Sequence, residues 1–117
     1  MGGRFLIVED EFIIAEIIKD TLEAAGHSEC RHVTSVAEAL AAIADGPWAG
    51  AVVDLTLQGE QSFPVARELR ARHIPFAFSS GDPSGAPAEF ADVPLLPKPW
   101  ENGALEELAR RLLGAGA

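Results

Sequence analysis

Four short apolar stretches and one weaker, mixed one run through this chain of 117 residues, and each gives way to a helical pattern or to turn residues before the next begins. They lie at 4–8, 28–33, 50–54, 74–78 and 93–96. Apolar runs of that length between turn signals read as strands buried on both faces, whereas 28–33 is a weaker strand with Cys30 and His32 on one face and Arg31 and Val33 on the other. The first amphipathic segment follows directly. Ile14, Ile17, Ile18, Leu22 and Ala25 recur at helical spacing from Phe12 onward, and Gly26 stops the helix. Ser35 and Glu38 form a capping box for a helix that carries Val36, Ala39, Leu40 and Ile43 and halts at Asp45-Gly46-Pro47. Residues 55–61 read as a polar loop around Gly59, after which Ser62 can cap a third helix with Pro64 in its first turn. That helix turns Val65, Ala66 and Leu69 inward and Arg67, Arg70 and Arg72 toward solvent. The 82–88 segment is loop-like, 89–92 has room for about one helical turn, and Leu105, Leu108, Ala109 and Leu112 mark a last helix over 101–113, with 114–117 as a tail. Strands alternating with helices imply a parallel sheet covered on both faces. Right-handed crossovers make strand order 2-1-3-4-5 the common solution for five such units, with a switch point between strands one and three.

The ends of the strands carry the chemistry. The run Ala51-Val52-Val53 closes on Asp54, the first run closes on Glu9 and Asp10, the fourth on Ser79-Ser80-Gly81, and the fifth on Lys98 between two prolines. A lone carboxylate is costly to bury, so Asp54 belongs at the carboxyl edge of the sheet, where open α/β sheets bind ligands. In a parallel sheet all four endings share that edge. Three carboxylates there repel one another, and a hard divalent cation removes the conflict. Oxygen-only ligands with room for water suit Mg²⁺. An anionic nucleophile, a cation, a hydroxyl and an ammonium together form a phosphoryl-transfer set, with Asp54 able to hold the group as an acyl phosphate.

Composition narrows the partners. The balance of 9 basic to 18 acidic residues, net −9, disfavours direct nucleic-acid binding. The lone Cys30 makes no internal disulfide, and no apolar run approaches the ~20 residues of a membrane span. A cytoplasmic location is the expectation. His27, His32 and His73 have no metal-ligand spacing, and Trp48 and Trp100 read as packing residues.

Over residues 4–113 the chain resembles the receiver domain of bacterial two-component response regulators. The resemblance rests on Glu9-Asp10-Glu11 after Phe5-Leu6-Ile7-Val8, on Asp54 after Ala51-Val52-Val53, on Ser79-Ser80-Gly81 after Ile74-Pro75-Phe76-Ala77-Phe78, and on Lys98-Pro99-Trp100. It implies a flavodoxin-like (βα)5 fold over residues 1–117, as a stand-alone domain with no output domain. Asp54 is then the phosphoacceptor. Glu9, Asp10 and Asp54 hold Mg²⁺ with the Thr56 backbone carbonyl, Ser80 bonds the phosphoryl group, and Lys98 pairs with it. Ser80 is preferred to its neighbour Ser79 because it stands five places after Pro75, as in the family. A cis peptide between Lys98 and Pro99 also follows. The implied donor is a sensor histidine kinase or a phosphotransfer protein. The only implied reactions are self-phosphorylation and slow autodephosphorylation, with output by protein contact and a homodimer as one option.

Three departures bear on output. Phe78-Ser79-Ser80-Gly81 is similar to the Phe-Ala-Thr-Gly signature of a stand-alone receiver subgroup, but Asp82 stands where that subgroup has an aromatic. Leu95 occupies the place of the usual switch aromatic, and the interval from Ser80 to Lys98 is short, so the fourth helix is expected to be short or irregular. The alternative reading is a receiver-like docking module that acts without phosphorylation. A phosphatase of the haloacid-dehalogenase type wants its nucleophile on the first strand and a second Asp two places on, where this chain has Thr56.

Overall fold

The computed structural model describes residues 3–27, 29–82 and 85–116. In chain order the elements are β1 (Arg4–Val8), α1 (Phe12–Ala24), β2 (Glu29–Val33), α2 (Val36–Ala44), β3 (Gly50–Asp54), β4 (Thr56–Leu57), β5 (Glu60–Gln61), α3 (Phe63–Ala71), β6 (Phe76–Ser80), a 3-10 turn (Ala88–Phe90), β7 (Leu95–Pro97) and α4 (Ala104–Gly116). Five of the strands form one sheet in the order β2-β1-β3-β6-β7, every pair parallel. With the β4–β5 hairpin set aside, this is the expected 2-1-3-4-5 winding of the flavodoxin-like fold. No helix among the described residues is long and apolar enough to cross a membrane.

Successive strand residues face opposite sides of a sheet, so each central strand feeds two cores. Leu6, Val8, Ala51, Val53, Phe76 and Phe78 pack with Val36, Ala39, Val65 and Leu69 under α2 and α3. Phe5, Ile7, Val52, Ala77 and Leu96 pack with Ala15, Ile18, Leu22, Leu105 and Leu108 under α1 and α4. Each large side chain so buried is worth about 1.5–3 kcal/mol of transfer free energy. The same alternation decides which strand-end residues can meet above the sheet.

Several boundaries differ from the sequence reading. The fourth sheet strand runs Phe76–Ser80 and not 74–78, because the Ile74 N–H is taken by the Leu69 carbonyl at 2.9 Å, closing α3, before pairing begins. The fifth runs Leu95–Pro97 and not 93–96, since the Val93 N–H bonds the Phe90 carbonyl at 3.0 Å. The last helix begins at Ala104, after Gly103 with φ 86°, and continues to Gly116 past the expected stop at Leu113. Of the expected tail, 114–116 thus belong to this helix, and Ala117 lies outside the described residues, as do Ser28, Pro83 and Ser84.

The stretch expected to be a polar loop is a small hairpin. Thr56 pairs with Gln61 and Leu57 with Glu60 in antiparallel register. Gln58 and Gly59 turn it, both at positive φ (52° and 80°), which is the two-residue primed turn that matches strand twist. Leu55 and Leu57 are buried and anchor it. Ser62 does not cap α3 through its side chain. Its hydroxyl donates to the Leu55 carbonyl at 3.2 Å and its N–H to the same oxygen at 3.0 Å, tying the hairpin shut.

Where a fourth long helix would stand, the described residues include the 3-10 turn Ala88–Phe90 and no α-helix. It is held by α3. Arg67 makes a two-pronged bond to Glu89 (2.8 and 3.2 Å), and Arg70 reaches the Glu89 carbonyl and the Asp92 carboxylate, each at 2.9 Å. Phe90 is inserted beneath, 5.5 Å ring to ring from Phe78, with the Arg70 guanidinium 5.2 Å from its face. These arginines were expected to be a plain solvated face. They are exposed, and they also clasp the segment that replaces a helix. In Arg67→Ala the amides of Phe90, Ala91 and Val93 should exchange with solvent severalfold faster, and molar salt should speed the parent toward the same rate. Equal exchange in parent and variant would show that the apolar contacts of Phe90 alone hold the turn.

Candidate functional site

Glu9, Asp54 and Lys98 meet above the carboxyl edge of the sheet. Glu9 follows β1 and is 1% exposed. Ile7 belongs to the core under α1 and α4, so alternation carries Glu9 to that same face. Its Oε2 accepts the Glu11 N–H at 3.1 Å, at the entry to α1, where a carboxylate is favoured by the free amides and the helix dipole. Asp54 ends β3 at 8% exposed, and its Oδ1 accepts the Thr56 N–H at 3.2 Å. The Lys98 Nζ bridges the two acids, 2.6 Å from Glu9 Oε1 and 3.1 Å from Asp54 Oδ2. Glu11, whose side chain is largely exposed, lies 3.8 Å from the same ammonium. Asp10 lies nearer solvent, and its Oδ2 accepts the Gln58 N–H at 2.9 Å from the hairpin tip.

Charge in this cleft is out of balance. Glu9, Asp10 and Asp54 each offer a carboxylate oxygen, and these lie within 4.8 Å of one another. Burial pushes the Glu9 carboxyl up to about 7 from the usual 4.5, and the Asp54 charge adds to the rise, against the lowering effect of the Lys98 and Glu11 hydrogen bonds. Burial works against the charged form of Lys98, but its bonds to Glu9 and Asp54 outweigh that and hold the ammonium above its ordinary value. One ammonium thus serves two buried acids, and the cluster still favours taking up a further positive charge. Its donors are all oxygen, the set that suits a hard divalent cation of the Mg²⁺ type.

The site residues expected from sequence gather, with one qualification. Glu9, Asp10, Asp54 and Lys98 come together as anticipated, and the Lys98–Pro99 peptide is cis. The Thr56 N–H is on Asp54 as described above. Ser80 lies at the same edge, but its hydroxyl is engaged in a turn: it donates to the Asp82 carbonyl at 3.1 Å and accepts the Asp82 N–H at 3.0 Å. Ser79, the neighbour set aside on register, is 1% exposed, and its hydroxyl has no hydrogen-bond partner among the described residues. Leu95 packs against the core that holds Phe78 and Phe90.

Two contacts escaped the sequence reading. His32 donates from Nε2 to the Glu9 carbonyl at 2.6 Å, fixing the strand end that carries the acids. The Gln58 amide reaches Asp10 across the hairpin. The first had no local signal. The second did, since Leu55-x-Leu57 followed by Gln58-Gly59 is apolar alternation running into a two-residue turn.

No protein-family model and no curated protein matches the chain. Solved structures do. The chain is 37% identical to SdrG from Sphingomonas melonis Fr1, covering 98% of this chain and 96% of that one at a TM-score of 0.80. The BeF3-activated conformation of SdrG, from Pseudomonas melonis Fr1, gives 38% identity over 94% of this chain and 95% of that one, again at 0.80. The response regulator receiver domain (CheY-like) from Methylobacillus flagellatus gives 26% identity over 96% and 99% at 0.83. With the winding, the acid cluster and the bridging lysine in place, these likenesses mean that the chain belongs to the family of response regulator receiver (CheY-like) domains.

Proposed function

We propose that this receiver accepts a phosphoryl group on Asp54 from the phosphohistidine of a sensor histidine kinase or phosphotransfer protein, and signals by protein contact. The observation that carries this reading is Asp54 itself. It is a nearly buried carboxylate at the end of a central strand, held from both sides by the Thr56 N–H and the Lys98 ammonium, with Glu9 and Asp10 alongside. A carboxylate oxygen of Asp54 attacks phosphorus, the phosphorus–nitrogen bond to the donor imidazole breaks, and the imidazole leaves with its electron pair. Glu9, Asp10, Asp54 and the Thr56 carbonyl would hold Mg²⁺. Bound there, the ion supplies charge screening between the anionic nucleophile and the anionic donor. Lys98 already spans Glu9 and Asp54, so it needs only a small shift to pair with a phosphoryl oxygen. Ser80, at the same edge but on the face of Phe76 and Phe78, would leave Asp82 and reach over the strand end to the same group, which couples the site to the residues that follow β6. Slow hydrolysis of the acyl phosphate would return the chain to its starting state.

The test uses acetyl phosphate as donor. With Mg²⁺ the intact protein should gain the mass of one phosphoryl group, and with a chelator in place of the metal the gain should fall at least tenfold. A protein that gains no mass in either condition is not a phosphoacceptor.

A further inference from the structure

We infer that the hydroxyl of Ser79 is a further ligand for the phosphoryl group on Asp54, a role distinct from that of Ser80; this rests on the reading of Asp54 as phosphoacceptor. Three observations carry it. Ser79 is register partner to Asp54 in the parallel pairing of β3 and β6. Both are two places beyond residues of the core under α1 and α4, Ala77 and Val52. Alternation therefore sets Ser79 on the sheet face that bears Asp54, and it sets Ser80 on the opposite face with Phe76 and Phe78. Lys98 stands two places after Leu96, which is register partner to Ser79 and belongs to the same core. Glu9, Asp54 and Ser79 thus line up across three neighbouring strands on one face, with Lys98 one pleat further along the fourth on that same face.

The second part of the case is the unpaired hydroxyl. Ser79 is 1% exposed and its Oγ has no partner among the described residues. Buried hydroxyls are nearly always bonded, and leaving one unmet is costly. Ala77, two places earlier on the same strand and face, fills its site without a polar atom. An alanine at 79 would carry no such penalty. A hydroxyl kept there, beside the acceptor carboxylate, suits a partner that arrives only with the reaction. A phosphoryl group on Asp54 brings oxygens that accept hydrogen bonds toward its neighbours on that face. Ser79 needs no release from a prior partner, whereas Ser80 must first leave Asp82.

Beryllofluoride with Mg²⁺ serves as the phosphoryl mimic, its binding read by fluorine NMR and the stability of each variant by thermal melting. Ser79→Ala should bind the mimic roughly tenfold more weakly, the effect of one hydrogen bond to a charged group, and should melt at or above the parent temperature. Ser79→Cys, a weaker donor of similar size, should fall between. Parent-like affinity in Ser79→Ala, with binding still abolished in Asp54→Asn, overturns the inference and leaves the phosphoacceptor reading standing. Loss of affinity that tracks a lower melting temperature in both Ser79 variants also overturns it, because the residue would then act through packing. A parent protein that does not bind the mimic removes both readings together.

Discussion

Asp54→Asn is expected to take up no phosphoryl group from acetyl phosphate, a loss of at least a hundredfold, and to be about 1 kcal/mol more stable than the parent. The two effects have one source. An amide has no anionic oxygen to attack phosphorus, so the acyl phosphate cannot form. The same change removes one of the two acids that share Lys98, at 2.6 and 3.1 Å, and leaves a simple Lys98–Glu9 pair. The amide oxygen can still accept the Thr56 N–H, so the strand end keeps its geometry. The pH dependence should change in step. In the parent, the Glu9 carboxyl sits at about 7 in the fold against 4.5 ordinarily. The folded state therefore holds a proton that the unfolded chain has released. Stability from that proton is fully present below pH 4.5 and is lost as pH rises through about 7. Without the Asp54 charge the Glu9 carboxyl falls, so the slope of stability across that window should flatten in Asp54→Asn. Chemical denaturation at pH 5 and pH 8 measures it. A variant with the parent's slope would mean that burial alone raises Glu9.

The crowding of charge at this edge also makes part of the site legible in the sequence. The acids and the lysine could be found in sequence because a parallel sheet sends every strand ending to one edge, and because a carboxylate closing a run such as Ala51-Val52-Val53 has nowhere else to go. Alternation and handedness left few windings, and 2-1-3-4-5 is the common one for five units. What sequence could not supply was the division of labour at the edge. Ser79 and Ser80 are chemically alike, and a family pattern selects one by register. Only the alternation of Ala77 and Phe78 between the two cores assigns the serines to opposite faces. Strand ends were misplaced for a related reason. Ser79 and Ser80 are polar, so the apolar run stops at Phe78, yet both are buried and paired in the ladder. Polar residues inside a strand are the mark of the site here. The hairpin was missed because the polar residues of 56–61 outweighed two buried leucines, and the arginine clasp because pairing partners such as Arg67 and Glu89 are distant in sequence.

Lys98→Met should cost about 3 kcal/mol of stability at pH 8, seen as a melting temperature lower by roughly 10 °C, and most of that loss should be recoverable in two independent ways. Methionine keeps the apolar stem, which is largely buried, and removes the charge. Glu9, 1% exposed, then faces Asp54 and Asp10 with no nearby cation, and an uncompensated buried charge is among the most destabilising changes a fold can suffer. Lowering the pH to 5 protonates Glu9, whose carboxyl is already raised in the parent and rises further once the ammonium has gone. The deficit should then shrink to about 1 kcal/mol, the opposite of what lost packing would do, since packing is indifferent to pH. Millimolar Mg²⁺ at pH 8 provides the second route. If the three carboxylates form a divalent-cation site, the ion replaces the missing positive charge and stabilises the variant by more than it stabilises the parent, where it must act beside Lys98. A deficit unchanged by both acid and Mg²⁺ would place the role of Lys98 in packing and remove the electrostatic basis for reading this cleft as a metal site.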